Sequence, residues 1–276
     1  MEISDFLFTV QGPTAGAVLV EWNVHESSQG SVAVWDCHFR VGGAISTHLQ
    51  QADCPKLSNG VKSQCKARSL LLHVTSGASG YFENVWAWTA DHDIDKSPSG
   101  GNDTSASQID IYVARGVLIE SAGPVWLYGT ASEHNAFYQY QFTGARNIYF
   151  GHIQTETPYY LPNPDALGVY TPGAFTNDPI FDNCDSNPTC TEAWALRVLH
   201  SQDVYIYSAG FYSFFNVSSA FSCTWFAYWP LAKNYDQTCI GDESCQERII
   251  ETSFTKGLWL YDLYTKGATQ PISPEG

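Results

Sequence analysis

Short apolar segments separated by polar or glycine-rich turns are the main pattern along the chain. The segments are rich in β-branched and aromatic residues, and many alternate with a period of two, as β-strands do. They cover residues 17–22, 32–35, 70–74, 85–88, 109–113, 204–207 and 258–261. Helical periodicity is nearly absent, and residues 192–199 are the best candidate for a short helix. The pattern therefore predicts an all-β chain.

Two of the segments repeat one another. Residues 125–129, Val-Trp-Leu-Tyr-Gly, can be laid over residues 147–152, Asn-Ile-Tyr-Phe-Gly-His, and this brings together Glu133 and Glu156, which are 23 residues apart. An offset of about 20 to 30 residues is typical of one coil of a solenoid. Strands of successive coils stack at about 4.8 Å, so the two carboxylates should lie one above the other. Two acids so close cannot both ionise at low cost, and one should keep its proton near neutrality, as a glycosidase requires.

Several segments also begin alike, with a polar or glycine residue followed by β-branched and aromatic positions. These beginnings are Asn84-Val85-Trp86, Asn147-Ile148-Tyr149, Asp203-Val204-Tyr205 and Gly257-Leu258-Trp259. A β-sandwich would also give many short strands. Coils interrupted by long loops favour a single-stranded right-handed parallel β-helix, a pectate-lyase-like solenoid. Residues 53–66, 95–107, 158–191 and 222–247 are predicted loops, where a rigid solenoid would carry a binding surface.

Composition narrows the range of partners. The chain of 276 residues has 28 acidic and 13 basic residues, a net charge of −15. Such a charge repels nucleic acid and anionic lipid, so a neutral ligand fits better. No run approaches the roughly 18 apolar residues of a membrane span. Aromatic residues make up 14% of the chain; they either bind the apolar faces of sugar rings or simply reflect the many strands.

Cysteine usage indicates an oxidising compartment. We expect disulfides Cys54–Cys65 and Cys184–Cys190, one further pair among Cys223, Cys239 and Cys245, and a buried thiol at Cys37. No pair has the C-x-x-C spacing of a zinc site. The chain begins Met1-Glu2-Ile3 without the basic and apolar regions of a signal peptide. We therefore expect an exported protein of which this chain is a part.

Residues 86–93, Trp-Ala-Trp-Thr-Ala-Asp-His-Asp, are the strongest candidate for a binding segment. Strand alternation puts Trp86 and Trp88 on one face, and Asp91 and His92 follow with groups that can bind hydroxyls. The alternative is that both tryptophans belong to the core. Asp91, Asp93 and Asp95 also resemble the start of a calcium loop. Lys96 stands where that loop requires glycine and Asn102 where it requires glutamate, so no metal is expected.

Four longer segments carry a resemblance. Residues 5–16, 86–93, 126–140 and 151–160 resemble the fungal exo-β-1,3-glucanases of glycoside hydrolase family 55, and the similarity continues to residues 272–274. The resemblance implies two tandem right-handed β-helices with the active site between them. It implies release of glucose from the non-reducing end of β-1,3-glucan with inversion and without a cofactor. Residues 1–276 resemble the second β-helix as one domain, and the absent first β-helix would be its partner.

The resemblance also assigns roles. Glu156 is similar to the general acid, and Glu133 to a second carboxylate that binds a glucose hydroxyl and raises the pKa of its neighbour. Trp86, Trp88, Asp91 and His92 resemble the glucose subsite, with Tyr138 as a further member. The order of the two glutamates stays open, as does the alternative that both are exposed turn acids. Stacked carboxylates would lie near the roughly 5 Å of a retaining pair, so in an inverting enzyme the water would be held from elsewhere.

Three other functional classes remain possible for this chain. The chain could be a non-catalytic glucan-binding β-helix, a structural β-helix of the adhesin type, or a polysaccharide lyase, which would normally use calcium and a basic residue. Without its partner, the chain should expose an apolar flank carrying Trp86, Trp88 and both glutamates. We then expect little glucanase activity from the chain alone.

Overall fold

The computed structural model describes residues 1–56, 60–95, 107–185, 187, 189–215, 239 and 244–275. Its strands are β1 Glu2–Ser4, β2 Leu7–Phe8, β3 Val18–Trp22, β4 Ala33–Trp35, β5 His38–Val41, β6 Lys66–Val74, β7 Gly80–Glu83, β8 Trp86–Thr89, β9 Tyr112–Ile119, β10 Val125–Tyr128, β11 Ala131–Glu133, β12 Tyr138–Thr143, β13 Arg146–Glu156, β14 Trp194–Leu199, β15 Gln202–Tyr212, β16 Gln246–Ser253, β17 Lys256–Lys266 and β18 Ala268–Glu275. One short helix, α1, spans Ala166–Val169, and a 3₁₀ turn spans Ser63–Cys65. No helix of the described segments is long and apolar enough to cross a membrane.

The strands form two parallel sheets wound as a solenoid. The second sheet has the order β18-β16-β14-β12-β9-β6-β3, and the first contains all the other strands. Each of seven successive coils passes through the first sheet and then the second. Val125 pairs with Ile148 and Tyr128 with Gly151, the register that the repeated segments predict. The predicted parallel β-helix is confirmed.

The first sheet bends once in every coil, and the bend divides it into two parts. We call them arm 1, which contains β1, β4, β7, β10 and the first halves of β13, β15 and β17, and arm 2, which contains β2, β5, β8, β11 and the second halves. Each bend contains a residue with φ between 51° and 60°; these are Asp5, Asp36, Asn84, Gly129, His152, Ser208 and Asp262. Glycine, asparagine and aspartate tolerate this left-handed conformation best. The bend therefore explains the polar residues that precede these strands.

The similar strand beginnings come from two different corners. Asn84 lies at the bend between the arms, whereas Asn147, Asp203 and Gly257 lie where the chain enters arm 1 from the second sheet. These three residues also have positive φ, at 55°, 55° and 62°. The shared sequence pattern thus reflects a shared backbone conformation.

Two predictions about secondary structure need correction. The helix expected over residues 192–199 is wrong, because Trp194–Leu199 is strand β14, all six residues of which are buried. It pairs with β12 on one side and β16 on the other, and this pairing overrides the local helix preference. The strand predicted over residues 109–113 begins later, at Tyr112, and continues to Ile119.

The longest connections between consecutive strands all join arm 2 to the second sheet. They occupy residues 42–65, 90–111, 157–193 and 213–245, between consecutive strands of the second, third, fifth and sixth coils. The fourth coil crosses the same corner in only residues 134–137. The fourth coil therefore has the shortest connection at this corner.

Disulfides close three of these loops. Cys54 is bonded to Cys65 and Cys184 to Cys190, as predicted, and Cys239 to Cys245 is the pair in the third group. Cys223 lies outside the described residues. Cys37 is a buried free thiol, as predicted, and burial raises the pKa of this thiol.

Candidate active site

Two rows of side chains cross arm 2 from the third coil to the fifth. In one row Trp88, Glu133 and Glu156 are consecutive register partners on β8, β11 and β13. In the other row Trp86 precedes Ala131 and Gln154. The predicted stacking of the two glutamates is confirmed. Neighbouring strands of a sheet are about 4.8 Å apart, so both carboxylates belong to one cluster.

Hydrogen bonds connect the two carboxylates. The Trp86 indole Nε1 donates to Glu133 Oε2 at 2.8 Å. The Gln154 amide Nε2 donates to Glu133 Oε1 at 3.2 Å and to Glu156 Oε1 at 3.4 Å. The Tyr159 hydroxyl donates to Glu156 Oε2 at 3.0 Å. Glu133 is only 6% exposed and the Glu156 side chain 18%, so neither is a freely exposed turn acid.

His134 is the residue that sequence reasoning missed. It begins the short corner of the fourth coil with φ of 65° and is buried. Its Nδ1 lies 3.0 Å from the Thr89 carbonyl oxygen and 3.6 Å from Asp91 Oδ1, and its Nε2 lies 3.4 Å from Glu156 Oε2. The imidazole thus lies between two carboxylates that come from the corners of neighbouring coils.

The surroundings of His134 favour its charged form. Burial alone would lower its pKa, but Asp91, Glu156 and Glu133 outweigh burial and raise the pKa to about 9. A residue with this pKa is an imidazolium at neutral pH. Its only sequence signal is its place beside Glu133, since the contacts to Asp91 and Glu156 exist only after the coils stack.

The three carboxyls respond differently to this cation. Burial opposes ionisation of Asp91, but the charge of His134 and a contact with His92, 2.5 Å from Asp91 Oδ2, lower the Asp91 pKa. Burial also opposes ionisation of Glu156, but the hydrogen bond and charge of His134, with the Tyr159 hydroxyl, lower its pKa. The pKa of Glu133 is raised, because its burial and the charge of Glu156 exceed the effect of His134. Of the three carboxyls, Glu133 is therefore the one that favours protonation.

Trp86 and Trp88 lie on the same face, as alternation predicts. Their rings stack with centroids 4.6 Å apart at 21°. Trp88 is only 5% exposed, and the Arg40 guanidinium lies 5.8 Å from the centre of its ring. Trp86 is half-buried, with His38 packed edge-on against it at 5.6 Å. Trp86 rather than Trp88 therefore offers the more accessible surface.

The predicted exposed flank is wrong for two of its four residues, because Trp88 and Glu133 are buried. The neighbouring coils and their loops cover them within the chain. Among the described residues, exposed aromatic rings instead lie further along the first sheet; they include Tyr205, Tyr207, Trp259, Tyr261 and Tyr264.

Tyr138 does not join the cluster. It lies in β12 of the second sheet, in register between Arg115 and Trp194, and is fully buried. The other predicted residues come together: Trp86, Trp88, Asp91 and His92 lie beside Glu133 and Glu156 through the contacts given above. Tyr138 is close to Glu133 in sequence, but the chain passes from arm 2 to the second sheet between these two residues.

The carboxylates that resemble a calcium loop have other partners. Asp93 accepts hydrogen bonds from the Gln51 backbone at 3.0 Å and the Gln50 side chain at 3.3 Å. Asp95 pairs with Arg40 at 3.3 Å. In the described part of the chain, no group of three or more His, Cys, Asp or Glu residues is arranged to hold a metal ion. Lys96 and Asn102 lie outside that part.

We predict that His134→Gln lowers stability in a pH-dependent way. The folded-state pKa of about 9 exceeds the value of about 6.5 expected for an unfolded histidine, so the histidine's contribution is fully present below about pH 6.5. It is lost as pH rises through about 9. Urea unfolding should give the wild type an advantage of about 2–3 kcal/mol at pH 6 that shrinks by pH 9.5. The exposed histidine variant His25→Gln is the control, and an advantage independent of pH would contradict the assignment.

No family model matches the chain. Comparisons with known proteins, however, find fungal relatives that are similar to it over its whole length. A probable glucan endo-1,3-beta-glucosidase of Arthroderma benhamiae is 44% identical over 279 residues, which cover 100% of this chain and 29% of that protein. A glucan 1,3-beta-glucosidase of Cochliobolus carbonum is 39% identical over 283 residues, covering 100% of this chain and 32% of that protein. A protein of Penicillium expansum named non-secreted LysM effector LysM15 is 48% identical over 275 residues, covering 99% of this chain and 17% of that protein.

The chain thus spans less than a third of the length of these curated relatives. The similarity runs along the whole of it, through all seven coils and the cluster on arm 2. The resemblance to fungal 1,3-β-glucanases that was inferred from the sequence is therefore confirmed as a similarity: the whole chain is similar to a part of two fungal proteins named as 1,3-β-glucosidases.

Proposed function

We propose that this chain forms the catalytic β-helix of a glycoside hydrolase that acts on β-1,3-glucan. The observation that supports the proposal best is the cluster of Glu133 and Glu156, stacked in register beside Trp86 and linked by Gln154. A carboxyl pair beside an accessible aromatic surface suits cleavage of a glycosidic bond. The names of the relatives from A. benhamiae and C. carbonum point to the same substrate.

In this proposal Glu156 is the general acid. It is the more exposed carboxyl of the pair and therefore the one that a glycosidic oxygen reaches more easily. Glu133 accepts the Trp86 N–H and would bind a sugar hydroxyl. His134 and Tyr159 lower the pKa of Glu156 against the effect of burial, so the acid needs a proton when substrate binds. Substrate expels water, and desolvation of Glu156 then favours its neutral form.

His134 supplies that proton. Its Nε2 lies 3.4 Å from Glu156 Oε2, and its raised pKa keeps it protonated at neutral pH. The proton moves from Nε2 to Glu156, and from Glu156 to the glycosidic oxygen as the bond between that oxygen and the anomeric carbon breaks. Water attacks the anomeric carbon with inversion and loses its own proton. Because Glu133 and Glu156 are stacked about as closely as a retaining pair, that proton goes to a group outside the pair.

The side chains on one side of the cluster support attack from a chain end. Trp88 and Arg40 continue the row of Glu156 and Glu133 toward the first coils, and the contact between their side chains fills this side. A glucan could then extend only toward the later coils. We propose exo-action, with one glucose released from the non-reducing end in each cycle.

Product analysis on laminarihexaose tests the proposal. The chain should be assayed alone and joined to the preceding part of the C. carbonum relative. We expect α-glucose as the first product of the joined protein and little activity from the chain alone, since the resemblance assigns the water-holding groups to the other β-helix. Shorter oligosaccharides as first products would indicate endo-action. Absence of hydrolysis by the joined protein would contradict the enzymatic proposal.

A non-catalytic glucan-binding role is the second candidate, and one observation favours it: the P. expansum relative is named an effector rather than a glucanase. Retention of the joined protein on insoluble β-1,3-glucan without release of sugar would support this role. The three disulfides suit an oxidising, extracellular location, whereas the name of that relative describes it as non-secreted.

A further inference from the structure

We propose that a cleft beside the cluster binds the glucose units that follow the one being cleaved. This inference rests on the proposed function and deepens it. The cleft has a volume of about 330 Å³ and crosses β13, β15 and β17 at the bend of the first sheet. It is lined by His152, Ile153, Gln154, Ser208, Ala209, Gly210, Tyr212, Asp262 and Tyr264.

The cleft is continuous with the catalytic cluster. Gln154, at one end, donates hydrogen bonds to both Glu133 and Glu156. In the same row Gly210 and then Tyr264 are the register partners of Gln154 in the next two coils. The cleft therefore begins at the carboxylates and leads toward the later coils, away from the side closed by Trp88.

The lack of a side chain at Gly210 helps to form the cleft. Gly210 stands between Gln154 and Tyr264, and the ring of Tyr212 leans over it, so that a Cβ on Gly210 would lie 2.5 Å from the Tyr212 hydroxyl oxygen. The ring centroids of Tyr212 and Tyr264 are 5.7 Å apart, and Tyr264 is 55% exposed. Glycine in this place lets one tyrosine lie flat along the cleft while the next remains accessible.

The lining suits a neutral sugar chain. Aromatic rings alternate with an amide, a hydroxyl and an imidazole, and Ser208 donates to Asp262 Oδ2 at 2.7 Å along the bend. Rings bind the apolar faces of glucose, and the polar groups between them bind hydroxyls. Coils stack at about 4.8 Å, so the Gln154 amide and the Tyr264 ring, which are two coils apart, lie about 10 Å from each other along the cleft. The net charge of −15 disfavours an anionic polymer here.

Affinity for short and long oligosaccharides tests the inference on the 276-residue chain. Laminaribiose should reach only the end of the cleft beside Gln154, whereas laminarihexaose should extend as far as Tyr264. By calorimetry, Tyr264→Ala should weaken laminarihexaose binding about tenfold and leave laminaribiose binding unchanged, since one exposed ring is lost. Gly210→Ala should act in the same direction by displacing the Tyr212 ring without removing any aromatic group. Tyr261→Ala is the matched control, because Tyr261 is exposed on β17, the strand of Tyr264, but does not line the cleft.

The outcomes separate the two proposals. Trp86→Ala should weaken binding of both sugars if the cluster holds glucose. Unchanged laminarihexaose affinity in Tyr264→Ala and Gly210→Ala would overturn the cleft and leave the cluster standing. Loss confined to those two variants, with no effect of Trp86→Ala, would support the cleft and contradict the cluster. Failure of the wild-type chain to bind laminarihexaose would also overturn the cleft. The cleft would also be overturned if the two variants kept their affinity for sugar but bound the preceding part of a relative more weakly. That result would identify the cleft as a contact with another part of the protein.

Discussion

Glu156→Gln is expected to lower the rate of laminarin hydrolysis by about two to four orders of magnitude, the usual contribution of general acid catalysis. Glutamine keeps the shape of the side chain, and its amide oxygen can still accept the hydrogen bond from the Tyr159 hydroxyl. It cannot donate a proton to the glycosidic oxygen. The measurement is kcat for the joined protein that hydrolyses laminarin, with a thermal melt of each variant to check folding.

A second substrate makes this test specific to proton donation. An aryl β-glucoside with an acidic phenol as leaving group needs little protonation, so Glu156→Gln should lose far less activity on it than on laminarin. Glu133→Gln is the matched control, because it removes the neighbouring carboxyl in the same row. A larger loss on laminarin in Glu133→Gln, with recovery on the aryl glucoside, would exchange the two roles. This result would agree with the raised pKa of Glu133.

The repeat pattern could predict the solenoid and the stacking of the two glutamates because both depend on one number, the residue offset between coils. The offset that aligns Val125 with Ile148 also aligns Glu133 with Glu156. Corners that require positive φ select a few residue types, and this selection left a visible signal at Asn84, Asn147 and Asp203. Fold and register were therefore accessible from local features.

The contacts that loop residues make with the cluster were harder to predict from the sequence. Tyr159 and Asp91 reach the cluster only because long loops of the third and fifth coils leave the solenoid at the same corner. His134 lies between them because the fourth coil turns that corner within a few residues. The length of a loop does not determine which part of the surface it covers, so no sequence pattern predicts that these three residues lie together. For Tyr138 the prediction was wrong in the opposite way: it is near Glu133 in sequence, but it lies in the second sheet.

The second large effect is expected on stability, from Trp88→Ala. Trp88 is 5% exposed and lies between the rings of Trp86 and the guanidinium of Arg40. Loss of a buried tryptophan leaves a cavity and costs about 3–5 kcal/mol. Urea unfolding of the 276-residue chain should show a loss of this size. Trp86→Ala should cost clearly less, because its ring is half-buried.

Sugar binding should follow the reverse order if Trp86 is the glucose platform. Trp86→Ala removes both the accessible ring and the N–H that holds Glu133 at 2.8 Å, so laminaribiose affinity should fall while the folded state persists. Trp86→Phe separates the two contributions, because phenylalanine restores a ring but not the hydrogen bond to Glu133. Recovery of affinity in Trp86→Phe would assign the binding to ring contact. Equal stability losses in Trp86→Ala and Trp88→Ala, with no change in sugar affinity for the former, would assign both rings to the core and remove the platform from the site.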